Sequence, residues 1–155
     1  DSAMKRFCEN FKRLSKSVRS RLTVENDDKS SMYSVKDLMY LHEQISIPIV
    51  FDYHHHQFCT GGLTEESALK LAATTWPKGI KPIVHYSESK RLHEENTKIK
   101  EQAHSDYINK LPKLYGMDVD VMVEAKAKEL AIIPHMGKYN ACEYSGLLNT
   151  QSYAI

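Results

Sequence analysis

Apolar residues recur at Met4, Phe7, Phe11, Leu14 and Val18, a 3-4 spacing that predicts an amphipathic helix over 2–19 with a Lys- and Arg-rich opposite face. Leu22-Thr23-Val24 then reads as a short strand. Ser34 caps a second helix through Ile45, with Asp37 three residues on as in a capping box and Leu38, Leu41 and Ile45 as its buried stripe. Pro48 to Phe51 is an unbroken apolar run, the mark of a strand buried on both faces. Thr64 caps a helix carrying Leu69, Leu71 and Ala72. Ile83-Val84 is a third strand, a helix is expected over about 94–111, and Val119 to Val123 is a fourth strand. Ala125 to Ile132 is helical in composition. From Pro134 the periodicity is lost, and 149–155 reads as a frayed tail.

Strands alternating with helices argue an α/β fold with a parallel sheet of βα units. Length refines this: 155 residues suit one ordinary domain, here divided into 1–133 and a C-terminal extension over 134–155. Hydrophobic residues at 41% and charged residues at 26% describe a soluble globular chain. Lys plus Arg at 21 against Asp plus Glu at 20 excludes a histone-like polycation. No apolar run approaches the roughly 18 to 20 residues of a membrane span. Cys8, Cys59 and Cys142 are odd in number and far apart, so they read as reduced intracellular thiols. The first residue is Asp, which suggests a processed or truncated start.

The chemistry lies in what ends each strand. The runs finish as LTV-Glu25, IPIVF-Asp52, PIV-His85 and VMV-Glu124, each in a carboxylate or an imidazole. In parallel α/β folds the carboxyl ends of the strands converge on one face, where ligands bind. Three carboxylates meeting there repel one another unless a divalent cation joins them. His85 makes the donor set mixed O and N, which suits Mn2+, Fe2+ or Zn2+ better than Ca2+ or Mg2+.

The run Asp52-Tyr53-His54-His55-His56 adds to the set. Along an extended strand end Asp52, His54 and His56 share one direction; a turn after Asp52 instead brings His55 beside it. Spacing leaves that choice open. Each residue alone also has an ordinary explanation: Glu25 or Glu124 as the N-cap of the next helix, His85 as a hydrogen-bonded structural histidine, His104 as a helix-surface residue. The conjunction at four successive strand ends outweighs these. The basic run Lys5, Arg6, Lys12, Arg13, Lys16, Arg19 and Arg21 is most simply a solvated helix face.

The segments LTVENDDK (22–29), IPIVFDYHHH (47–56), KGIKPIVHYSE (78–88), AHSDY (103–107) and VMVEAK (121–126) together resemble the UV damage endonuclease family. The resemblance runs over about residues 1 to 130, corresponding to the later half of the family's chain. It implies a TIM barrel, of which this chain supplies about the later half. It also implies a cluster of divalent metals, usually Mn2+, with Zn2+, Co2+ or Mg2+ as other occupants. Carried over by motif, Glu25 would bridge two metals, Asp52, His85 and Glu124 would complete the central one, and His55 and His104 would hold a third.

The activity implied is hydrolysis of the phosphodiester bond 5′ to UV photoproducts in double-stranded DNA, leaving 3′-hydroxyl and 5′-phosphate ends. Two departures stand against it. Ile83 occupies the place of a lysine that family members often carry two residues before the strand-end histidine, and Lys81 lies too far away to substitute. The family's first half, with two further histidine ligands and a Gln-Tyr wedge, has no counterpart. The chain would therefore need that half, or self-association, to close a barrel. The competing readings are another metal-dependent TIM-barrel enzyme, such as an abasic-site endonuclease or a sugar isomerase, and a catalytically incomplete metal- or DNA-binding half-barrel.

Overall fold

A computed structural model describes residues 2–142, with side chains described through residue 136. The chain begins with α1 (Ser2–Arg13), whose Met4, Cys8 and Phe11 are buried. The long helix expected over 2–19 breaks there. Ser15 takes an extended conformation and its hydroxyl accepts from the Val18 amide, which starts a separate turn, α2 (Lys16–Arg19). Leu14 and Val18, which continue the apolar stripe on paper, are 38% and 46% exposed. Helix α1 runs out of partner after Phe11.

The elements that follow are β1 (Val24–Glu25), α3 (Val35–Ile45), β2 (Ile49–Asp52), α4 (Tyr53–His56) and α5 (Glu65–Ala73). The capping box at α3 is present: the Ser34 amide donates to Asp37 at 2.9 Å and the Asp37 amide to the Ser34 hydroxyl at 3.3 Å. Thr64 caps α5 in the same manner through the Ser67 amide.

After β3 (Ile83–Tyr86) and the single turn α6 (Lys90–His93), the helix expected over 94–111 does not form. Local contacts outcompete it. Glu95 adopts a positive φ of 48°, and the Asn96 side chain caps the Lys98 amide. The returning chain pairs antiparallel with the segment between β3 and α6: the Lys90 amide donates to the Ala103 carbonyl, the Ser105 amide to Glu88, and Ser89 bridges His104.

The last elements are β4 (Asp120–Val123) and α7 (Glu129–Cys142). Helix α7 starts later than the expected 125 and runs past Pro134, where the pattern had ended it. Its start is delayed because Lys126 and Ala127 donate their amides to Ser105 and Asp106, and Lys128 turns through φ 53°. Proline costs the helix one hydrogen bond. Packing of Ala131 and His135, whose ring contacts the Ile108 carbonyl at 3.0 Å, holds the turns on either side of it. The tail expected over 149–155 lies outside the described residues.

The four strands form one parallel sheet in the order β1-β2-β3-β4. In register, Phe51 stands beside Val84 and Val121, while Asp52 stands beside His85 and Met122. Parallel neighbours in register share a face. Ile49, Phe51, Val84 and Tyr86 are buried in the core with Val35, Leu38, Leu41, Ala68, Leu69 and Ala72 of the helices. The opposite face is open: Met122 is 52% exposed, and a 440 Å³ depression lies among Thr23, Pro48, Val50, Trp76, Ile83, His85 and Met122. Parallel strands in sequential order with helices on one face are the arrangement of a TIM-type barrel, present here in part.

Candidate metal centre

Each strand delivers one group to the carboxyl end of the sheet: β1 ends in Glu25, β2 ends in Asp52, His85 is the third residue of β3, and Glu124 follows β4. The four groups expected from the sequence meet. His85 Nδ1 lies 3.1 Å from Glu25 Oε2 and 3.2 Å from Glu124 Oε1, at ion-pair distance from both without a well-aligned hydrogen bond to either. Asp52, His85 and Glu124 each offer a donor atom within 4.8 Å of the others, and Glu25, Asp52 and His55 do the same. Asp52 belongs to both groups.

A turn, and not an extended strand end, brings in the histidine. Asp52 is the N-cap of α4, with Oδ1 accepting from the His55 amide at 2.7 Å. The coil carries His55 back over β1, where Nδ1 donates to the Asn26 carbonyl at 2.9 Å and lies 3.1 Å from Glu25 Oε1. His54 and His56 belong to neither donor group. The His54 ring is fully buried edge-on to Phe58, and the His56 ring packs on Phe51. The middle histidine is thus the one at the site.

His104 arrives from the segment that bridges Ser89, just after β3. Its Nδ1 stands 3.6 Å from Glu124 Oε2, and its ring lies 5.4 Å from that of His54 and 5.9 Å from that of His55. It is not on a helix. An open depression bordered by Ala103, His104, Glu124, Ala125 and Lys126 leads to this edge.

The electrostatics are those of a site short of positive charge. Burial pushes the Asp52 carboxyl up to about 6, assisted by the charges of Glu25 and Glu124 and opposed by the His55 amide and ring. Burial also acts to raise Glu25, but the contacts from His55 and His85 outweigh it and hold that carboxyl at about 2. Burial disfavours the His55 cation, yet Glu25 and Asp52 raise the imidazole to about 9. Glu25 raises His85 as well, against the burial of its ring. The carboxylates thus favour the charged form of both imidazoles. Asp52 Oδ2, buried at the junction of the two groups, has no hydrogen-bond partner. An unpaired buried oxygen among carboxylates and imidazoles fits a divalent cation.

One organising residue was not singled out in the sequence. Asn26, inside the polar stretch after β1, is 1% exposed and bonds both main-chain groups of Asp52. Its only sequence signal is its place directly after Glu25.

Comparison with known proteins bears on this arrangement. The family described as UV-endonuclease UvdE matches residues 1–152. A UV-damage endonuclease of Schizosaccharomyces pombe is 42% identical over 143 residues, covering 86% of this chain and 23% of the relative. A UV DNA damage endonuclease of Bacillus cereus is 33% identical over 152 residues, covering 91% of this chain and 45% of the relative. The crystal structure of SacUVDE superposes with a TM-score of 0.71 at 31% identity, over 88% of this chain and 46% of that one. The chain therefore spans less than half the length of these relatives. With the match running through all four strand-end groups and almost end to end, the chain belongs to the UV-endonuclease UvdE family.

Proposed function

We propose that this chain carries part of the active site of a metal-dependent DNA-repair endonuclease. The reaction is hydrolysis of the phosphodiester bond 5′ to a UV photoproduct, leaving 3′-hydroxyl and 5′-phosphate ends. The observation that carries this reading is the convergence of Glu25, Asp52, His85 and Glu124, with the unpaired Asp52 Oδ2 between the two donor groups. Asp52, His85 and Glu124 would hold one divalent ion, Mn2+ before Zn2+, Co2+ or Mg2+. Glu25 would bridge it to a second, and His55 and His104 would hold an ion on the side of the open depression.

The chemistry that ions held by these residues would supply is a water made more acidic and charge neutralised at the leaving 3′-oxygen. The protein's own contribution is placement. Asp52 is fixed by the His55 amide and by Asn26, Glu25 is held between two imidazoles, and Lys126 offers a cation for a phosphate on the approach past His104. Selection of the lesion follows from the lower cost of unstacking a damaged base.

The test uses an end-labelled duplex with one photoproduct, the N-terminal half of a family member supplied in trans, and Mn2+. A nick on the 5′ side that primes a DNA polymerase supports the reading, and absence of any metal-dependent nick refutes it.

A second reading is that the chain alone is a metal- and DNA-binding half-barrel without turnover. The exposed inner face at Met122 and Asp120 favours it. Incision compared with binding, by the chain alone, separates the two.

A further inference from the structure

We propose that Asn26 is the positioning residue of the metal centre: it holds two of the ligands, Asp52 and His55, in place from beneath. The inference rests on the metal reading above. Strand β1 pairs with β2 over two residues only, Val24 with Ile49 and Glu25 with Val50. Beyond Glu25 the main chain leaves the sheet, and the main-chain groups of Asp52 on that side lose their ladder partner. The Asn26 side chain replaces it. Its Nδ2 donates to the Asp52 carbonyl at 3.0 Å and its Oδ1 accepts the Asp52 amide at 2.9 Å.

The same residue's own carbonyl accepts from His55 Nδ1 at 2.9 Å. One buried residue thus fixes the main chain of one ligand and the ring of another, while its preceding neighbour, Glu25, is a third ligand. A metal-bound histidine or carboxylate keeps its orientation through such outer partners, and their loss costs about 10- to 100-fold in metal affinity.

The chemistry requires asparagine. Pairing with both the N–H and the C=O of one residue takes a planar amide with a donor and an acceptor side by side. Aspartate has no donor and would set a carboxylate against the Asp52 carbonyl. Glutamine is one methylene too long for a site that is 1% exposed. Alanine would leave the buried amide and carbonyl of Asp52 unsatisfied.

A purely structural role must be distinguished from a positioning one, and Thr75 supplies the control. It is 3% exposed, its hydroxyl accepts from the Ile49 amide at 2.8 Å on the same strand, and it lies away from the ligands. The experiment measures the Mn2+ dissociation constant, the visible spectrum of the Co2+-loaded chain and the metal-free Tm for the full chain and for Asn26→Ala, Asn26→Asp and Thr75→Val. The expected result is about a 10- to 100-fold weaker Mn2+ affinity and an altered Co2+ spectrum for both Asn26 variants. Thr75→Val should lower Tm comparably and leave both metal readouts within twofold.

Wild-type affinity and spectrum in the Asn26 variants, with Tm lowered, would overturn the positioning role and leave the metal reading intact. Failure of the unsubstituted chain to bind Mn2+ would overturn both. Should both Asn26 variants fail to fold, hydrogen exchange in the unsubstituted chain decides. Zn2+ should slow exchange of the Asn26 side-chain amide and the Asp52 main-chain amide, and unchanged exchange would overturn the proposal.

Discussion

The main-chain amide of His55 donates to the Asp52 carboxylate at 2.7 Å, so the residue that ends β2 also begins the next turn. That bond uses one carboxylate oxygen for structure and leaves the other unpaired. It also coils the three histidines so that the middle one meets Glu25 and the outer two enter the core.

Mn2+ or Zn2+ should raise the Tm of the chain, because binding to the folded state alone stabilises it by mass action. Glu25→Gln should abolish most of that rise. His54→Ala should lower the metal-free Tm, since it empties a fully buried ring position, yet keep the metal-induced increment. Equal loss of the increment in both variants, read by calorimetry with and without metal, would contradict the assignment of ligands.

Asp52→Asn should stabilise the metal-free chain and remove its response to metal. Burial raises the Asp52 carboxyl to about 6, so at pH 7 the fold holds a carboxylate it disfavours. By linkage a raised carboxyl favours the fold as pH falls below about 6, and removing the charge gains on the order of 1 to 2 kcal/mol at neutral pH. Urea unfolding at pH 7 checks this, and a less stable metal-free Asp52→Asn would count against it.

Metal affinity should rise with pH. His55 is raised to about 9, so its stabilising pairing with Glu25 is fully present below the unfolded value of about 6.5 and is lost as pH climbs through 9. Glu25 is depressed to about 2, so its share is present above about 4.5 and is lost as pH falls through 2. Between pH 5 and 8 the metal-free pair is therefore intact, and metal must displace the imidazolium proton. Calorimetric titration in buffers of different ionisation enthalpy should report proton release on Mn2+ uptake at pH 7.

Lys126→Ala should weaken binding of irradiated and unirradiated duplex alike and reduce the slope of log K against log salt by about 1, with Mn2+ affinity unchanged. Fluorescence anisotropy at several salt concentrations measures it. An unchanged slope would remove Lys126 from the DNA path.

The chain alone should be a weak nuclease. Its sheet exposes Met122 and the depression along Val50 and Ile83, where further strands would pack. Adding the N-terminal half of a family member should increase Mn2+-dependent incision by well over tenfold. Robust incision by the purified 155-residue chain as a monomer would show that the relatives' N-terminal half is dispensable.

The sequence alone carried the parallel βα order, because continuous apolar runs such as IPIVF form only where a strand is covered. It carried the meeting of Glu25, Asp52, His85 and Glu124 for a related reason. Parallel strands share a direction, so residues ending successive apolar runs share an end of the sheet, whatever fills the loops. The Ser34–Asp37 cap was legible because it is local chemistry three residues long.

Tertiary structure decided the rest. Whether His54, His55 or His56 faced the site depended on a turn closed by Asp52, and an extended continuation satisfied the same spacing. The segment over 94–111 has helical composition, but the Ser105 amide donates to Glu88, the Lys98 amide to the Asn96 side chain, and the Ala103 carbonyl accepts from Lys90, and that pairing is what delivers His104. Helix α7 starts late because Ser105 and Asp106, distant in sequence, take the amides of Lys126 and Ala127. Asn26 was invisible for the same reason: a side-chain amide that replaces a strand partner is defined by what lies across from it. Periodicity and short-range caps are written in one segment at a time, whereas a buried hydrogen bond needs two segments and is fixed only when the fold brings them together.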